Sequence, residues 1–201
     1  MQSKIRPKRL SIVFSAVGAA CLFVLFLFLV AIFPNEGFHT KAASATTQQI
    51  PQATLPGRLV IPEINVDAAV EEVGLTPQGA MAVTEGPTDV AWFDLGPRPG
   101  EIGSAVIAGH EGWKDGIAAV FDDLYKLQKG DKIYVEDGQG TMTTFVVREI
   151  RAYDQNGDAS DVFNSNDGKA HLNLITCAGT WNATQRSYSH RLVVFTDIET
   201  K

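Results

Sequence analysis

Cysteine is almost missing from this chain, with two in 201 residues, Cys21 and Cys177. Cys21 lies inside a long uncharged apolar run and Cys177 lies far downstream, so no intramolecular disulfide framework can hold the fold. Histidine is also scarce: His39, His110, His171 and His190 are the whole set. None of them pairs at the short spacing that places two metal ligands on one element, and Asp154-Gln-Asn-Gly-Asp158 is only a fragment of a calcium loop. The expectation is therefore no metal and no cofactor. An excess of positive charge is lacking as well, since 17 Lys and Arg stand against 23 Asp and Glu. Phosphate contacts need clustered Lys and Arg, so nucleic acid is excluded as a partner. No internal repeat is present.

The longest hydrophobic run, Leu10 to Phe33, contains no charged residue and is preceded by Lys4, Arg6, Lys8 and Arg9. About 20 apolar residues span a bilayer core of roughly 30 Å, whereas the apolar core of a cleaved signal peptide is usually about 7 to 15 residues long. The run is read as an uncleaved signal anchor over residues 10–33, although Ala42-Ala-Ser-Ala45 would fit a cleavage site. The basic tail, residues 1–9, then stays cytoplasmic by the positive-inside rule, and everything after Phe33 lies outside: a single-pass type II protein of the cell membrane. Removing the tail's four positive charges moves the remainder from −6 to −10, an acidic ectodomain. Residues 34–57 turn to Ala, Ser, Thr, Gln and Pro without apolar periodicity and read as a flexible extracellular stalk that includes His39. The folded domain is placed at 58–201.

Within that domain, short apolar runs alternate with Gly, Pro and Asp turns: Leu59–Ile61, Ala80–Val83, Ala105–Ala108, Lys132–Val135, Thr143–Val147, Leu172–Ile175 and Leu192–Phe195. This pattern predicts an all-β barrel or sandwich. One short helix is expected over Ala118 to Leu127, where Val120, Phe121, Leu124 and Leu127 fall at helical spacing before Gly130-Asp131.

Cys177 ends one apolar run and Arg191 opens the next, so antiparallel pairing of the two runs would project thiol and guanidinium at the same end of the sheet. His110 ends a third run, Ser104-Ala-Val-Ile-Ala-Gly109. The thiolate is the attacking form of cysteine, and a histidine elsewhere in the chain is its usual proton partner. With reference pKa values of about 8.5 and about 6.5, the neutral pair dominates at neutral pH. His190 adjoins Arg191 and His171 begins the strand that carries Cys177, at its far end, so both are weaker candidates for the base. Arg186 lies in a polar stretch, Asn182 to Ser187, that reads as a loop.

The order His110, Cys177, Arg191 and the Ile-Thr-Cys177 strand resemble the sortases, cysteine transpeptidases that anchor proteins on Gram-positive cell surfaces. The match to the family's Thr-Leu-x-Thr-Cys signature departs at Asn173, where Thr is usual. The resemblance covers about Leu59 to Asp197 and implies a closed β-barrel of about eight strands with short helices, here preceded by one transmembrane helix. It implies that Cys177 is the nucleophile, His110 the general acid and base, and Arg191 the stabiliser of an oxyanion or of substrate carbonyls. Thr176, Trp113 and Trp181 are the candidate substrate-binding residues. The implied partners are surface proteins with a C-terminal Leu-Pro-x-Thr-Gly-like sorting signal and a cell-wall precursor amine as acyl acceptor, with the enzyme a monomer. The Gly109-His110-Glu-Gly-Trp113 and Thr176-Cys-Ala-Gly179 neighbourhoods look most like class F, with classes D and E open, and a chain ending soon after the last strand favours housekeeping attachment over pilus building. Two other functions compete: a catalytically silent barrel used as scaffold or adhesin, and a cell-wall cysteine peptidase. NlpC-type peptidases place Cys before His, the reverse of the order here, and the other peptidoglycan transpeptidase class has Ser-His-Gly-Cys with Arg two residues on.

Overall fold

The structure, a computed structural model, describes residues 54–200. The basic tail, the apolar run and most of the stalk, together with Cys21 and His39, lie outside the described residues. Eight strands form a closed barrel: β1 (Pro56–Ile61), β2 (Val66–Val73), β3 (Val90–Phe93), β4 (Gly103–Ala108), β5 (Lys132–Asp137), β6 (Met142–Asp154), β7 (Ala170–Asn182) and β8 (Ser187–Ile198). Their order around the barrel is β1-β2-β3-β4-β7-β8-β6-β5, closing back onto β1. The β2–β3 and β4–β7 pairs are parallel and the others antiparallel. Pro56 and Gly57 thus belong to the barrel rather than to the stretch read as stalk.

Alternation along the strands explains the interior. Leu59 and Ile61 of β1, Ile133 and Val135 of β5, Phe145 and Val147 of β6, and Leu172 and Leu174 of β7 are buried together in one core. β4 is buried along nearly its whole length because both of its faces are covered. Its outer side, with Val106, joins Val162, Val193 and Phe195 in a second cluster. Val162 belongs to the one α-helical turn in the described residues, α1 (Ser160–Phe163), which lies on the outside of the barrel.

Three expectations change. No α-helix spans Ala118 to Leu127; a 3₁₀ turn covers Leu124–Lys126. Phe121, Leu124 and Leu127 are buried as their spacing required, but the backbone N–H groups there bond outward, Val120 to the Pro87 carbonyl and Phe121 to the His110 carbonyl. Beyond them the N–H groups bond three residues back rather than four, Asp122 to Ala119, Leu124 to Phe121 and Leu127 to Leu124, so the segment is a series of tight turns. Ala80–Val83 forms only an isolated bridge, Met81 to Leu75. β2 and β3 were not expected: Glu71-Glu72 breaks the apolar alternation of one, and the other is four residues long.

Candidate active site

Cys177 and Arg191 are register partners across the β7–β8 ladder. Neither stands at a strand end, contrary to the sequence expectation. β7 runs on to Asn182 and β8 already begins at Ser187, so both residues lie where a long hairpin leaves the barrel. The hairpin beyond Cys177 buries little, which is why its strand character was invisible in the apolar pattern. Side chains alternate along β7, with Leu172 and Leu174 in the core, so Cys177 faces outward with Ile175, Asn173 and His171.

His110 stands just beyond β4, which pairs in parallel with β7. Three contacts hold its segment. The Gly109 N–H donates to the Ile175 carbonyl at 3.0 Å. The Thr176 hydroxyl donates to the Gly109 carbonyl at 2.8 Å. His110 Nε2 lies 2.9 Å from the Thr84 carbonyl. A carbonyl only accepts, so Nε2 carries a proton and Nδ1 is the nitrogen left to exchange one. Glycine is required before the histidine, since a Cβ at Gly109 would lie 2.5 Å from the Phe121 ring. The Trp113 ring packs on the imidazole, with centroids 4.7 Å apart at 61°.

These residues open on a groove of about 710 Å³. Cys177, His110 and Arg191 line it with Trp113 and Trp181, so five of the six candidates from the sequence share one site. The sixth, Thr176, is buried; its hydroxyl points away from the groove to the Gly109 carbonyl. Trp181 packs edge-on against Tyr188 at 5.1 Å, giving the hairpin an aromatic wall. The structure adds Glu111, Lys114, Arg186, Ser187 and Tyr188 to the lining. Arg186, set aside as a loop residue, occupies the turn in a left-handed conformation with φ 50° and reaches the groove from there. Glu111 and Tyr188 had only their adjacency to the motif residues as a signal.

Arg191 is braced from its own strand. Nη1 donates to the carbonyls of His190 and Tyr188 at 2.8 and 3.2 Å, and Nη2 to the Ser187 hydroxyl at 3.3 Å. A guanidinium has five N–H donors, so Nε and one N–H of Nη2 stay uncommitted among the described residues. Burial raises the Cys177 thiol pKa above its ordinary value, the Arg191 charge opposes that rise, and Glu111 adds to it. The resting group at neutral pH is the thiol. Burial and then the neighbouring Asp122 raise Glu111 itself. Asp122 is held in place by the Gly112 N–H at 2.6 Å.

The other histidines are elsewhere. His190 contacts the Ser189 hydroxyl at 2.7 Å and Asp154 at 3.2 Å. His171 is buried between Asp167 and Asp197, at 3.0 and 2.9 Å. Among the described residues no group of three or more His, Cys, Asp or Glu could hold a metal ion.

The sortase domain family profile matches residues 59–199. A comparison with curated proteins finds no match. Among solved structures, sortase C-1 from Actinomyces oris is similar at 26% identity and a TM-score of 0.54, over 72% of this chain and 73% of that one. The Group B Streptococcus Pilus Island 1 sortase C2 is similar at 25% identity and a TM-score of 0.56, over 72% and 73%. Sortase A from Corynebacterium diphtheriae shares the fold at 22% identity and a TM-score of 0.55, over 74% of this chain and 62% of that one. With the profile running from the middle of β1 past the end of β8, the chain belongs to the sortase family of cysteine transpeptidases.

Proposed function

We propose that this protein is a membrane-anchored, class F-like sortase that cleaves a Leu-Pro-x-Thr-Gly-like sorting signal and joins the surface protein to a cell-wall precursor amine. The observation that carries the reading is the pairing of Cys177 with Arg191 across β7 and β8, at a groove that His110 also lines. Cys177 loses its proton to His110 and its sulfur attacks the scissile carbonyl. The carbonyl carbon becomes tetrahedral and its oxygen carries the negative charge. The two uncommitted N–H groups of Arg191 suit that oxygen, because the bonds to His190, Tyr188 and Ser187 fix the fork before substrate arrives. Collapse of the intermediate breaks the peptide bond, His110 protonates the departing amine, and a thioester remains on Cys177. The incoming amine gives its proton to His110 as it attacks the thioester, the thiolate leaves, and His110 returns the proton to it.

The anchor over residues 10–33 and its type II orientation belong to the same proposal; they rest on the uncharged run and the basic tail before it. The class F-like assignment rests on the residues around His110 and Cys177. The test is to incubate the full chain with a library of Leu-Pro-x-Thr-Gly-like pentapeptides and a panel of amines, reading products by mass spectrometry. The expected result is peptide–amine conjugates and a trapped acyl-enzyme, both lost in Cys177→Ala. Conjugates formed by Cys177→Ala, or no acyl-enzyme with any peptide, would overturn the proposal.

A further inference from the structure

The catalytic groove is opposite in charge to the molecule around it. Lys114, Arg186 and Arg191 line it with a single carboxylate, Glu111, whereas the chain beyond the basic tail carries −10. Arg191 is braced by its own strand at the reaction centre. The other two cations have no acidic partner among the described residues. Lys114 stands over the Trp113 ring at 5.9 Å, and Arg186 has neither hydrogen bond nor ion pair. Outside the groove the pattern is the reverse: Arg58, Lys126, Lys132, Arg148 and Arg151 each meet a carboxylate at 2.6 to 3.6 Å. In a chain with acid to spare, two cations left unneutralised in one groove create a positive field that draws in anions.

Arg186 is held in place by what surrounds it. It occupies the β7–β8 turn at φ 50°, a left-handed conformation usual only for glycine and asparagine. Bonds on both sides maintain that conformation. The Asn182 side-chain oxygen accepts from the Thr184 and Gln185 N–H groups at 3.0 and 3.1 Å. Gln155, just past the end of β6, donates to the Gln185 side chain at 3.1 Å and accepts from the Ser187 hydroxyl at 2.7 Å. It thereby clamps the residues before and after Arg186. The backbone of Arg186 is fixed while its guanidinium keeps all its donors for a ligand. Arg186 precedes Arg191 by five positions, roughly 16 Å of extended strand, so the group it meets lies a few residues from the carbonyl at Cys177.

We propose that Arg186, with Lys114, selects substrates that carry a carboxylate a few residues from the reacting bond, on the sorting signal or on the acceptor amine. The inference rests on the reading of this groove as the transpeptidation site. A carboxylate is the anion that peptides carry, and a guanidinium takes it by two parallel N–H bonds. The test measures kcat/KM of the full chain for sorting-signal peptides with Glu, Gln or Lys at the variable position and at each flanking position. A second arm compares glycylglycine with its C-terminal amide as acceptor. The acidic form should be preferred about fivefold in at least one arm, and that arm identifies the source of the carboxylate. The preference should vanish when Arg186→Gln and Lys114→Gln are combined, persist in Arg186→Lys, and weaken in about 1 M salt. No preference in either arm, or one unchanged in the double variant, would overturn the proposal. A further measurement needs no turnover: the ratio of Cys177 alkylation rates with anionic iodoacetate and neutral iodoacetamide, read by mass spectrometry. That ratio should fall about fivefold in the double variant, and an unchanged ratio defeats the proposal. If no peptide gives an acyl-enzyme, the transpeptidase reading fails, and the alkylation ratio alone decides whether the groove selects anions.

Discussion

The hydroxyl of Thr176 and the carbonyl of Gly109 meet at 2.8 Å, one residue upstream of Cys177 on one side and of His110 on the other. This side-chain bond extends the β4–β7 ladder to the point where the two strands deliver the proposed nucleophile and base. It turns Thr176 from a candidate substrate contact into a positioning residue. Thr176→Val keeps the shape but removes the donor from the part-buried Gly109 carbonyl, at a cost of about 1 kcal/mol. A fall in kcat of about tenfold or more is expected with KM little changed, and Thr176→Ser should restore it. Kinetics of the three proteins check this, and a Thr176→Ser enzyme as poor as Thr176→Val would remove the positioning role.

Arg191 separates charge from geometry. Arg191→Lys keeps the charge but loses both the fork and its bracing, so kcat/KM should fall by roughly 10² to 10³-fold, the usual cost of one oxyanion donor. Arg186→Lys, on the turn, should cost little. Measurement at two ionic strengths distinguishes the alternatives, since a charge acting only by attraction is mimicked by salt. An Arg191→Lys enzyme of near wild-type rate would sink the oxyanion role.

Glu111 works against the thiolate. Burial is the main cause of the raised Cys177 thiol, but Glu111 adds to it and Arg191 opposes it. Removing the negative charge in Glu111→Gln should therefore shift the pH profile of Cys177 alkylation by iodoacetamide to lower pH, and Arg191→Gln should shift it to higher pH. Shifts in the same direction for both variants would contradict the arrangement of charge around the thiol.

Asp167 links the fold to acid. The hydrogen bond from His171, followed by that from the Lys169 backbone N–H, holds its carboxylate well below the usual range. A depressed carboxylate stabilises the folded state at pH above its unfolded value of about 3.9, and that contribution is lost as pH falls toward the folded value. Asp167→Ala should be less stable than wild type at pH 7, and the difference should narrow below about pH 4. Urea denaturation at a series of pH values reads this directly, and a gap that widens on acidification would reverse the assignment.

The strands that were legible in the sequence were those with an uninterrupted apolar face, such as Leu172–Ile175 and Leu192–Phe195. β2 and β3 were not, because Glu71-Glu72 breaks one and the other is short. Val120, Phe121, Leu124 and Leu127 show the limit of periodicity: their spacing reported which side packs on the core, while the backbone there closes bonds three residues back instead of the four of an α-helix. At the site, Cys177, His110 and Arg191 carried their own chemical signal. Glu111, Tyr188 and the role of Thr176 depend on which loops approach one another, and no local pattern encodes that.

The strands that carry Cys177 and Arg191 sit between β4 and β6 in a closed ring. Neither strand is an edge, so neither can peel away to expose its residue while the rest of the barrel stays closed. The backbone amides at Leu174 and Val194, in the core-facing part of that ladder, should exchange with deuterium only through opening of the whole domain. Those of the exposed turn at residues 183–186, held only by local bonds from Thr184 and Gln185 to the Asn182 side chain, should exchange far sooner. The hairpin is in this sense a lever with one end welded: its tip rests on a few bonds to Gln155, while its base is woven into the ring of strands.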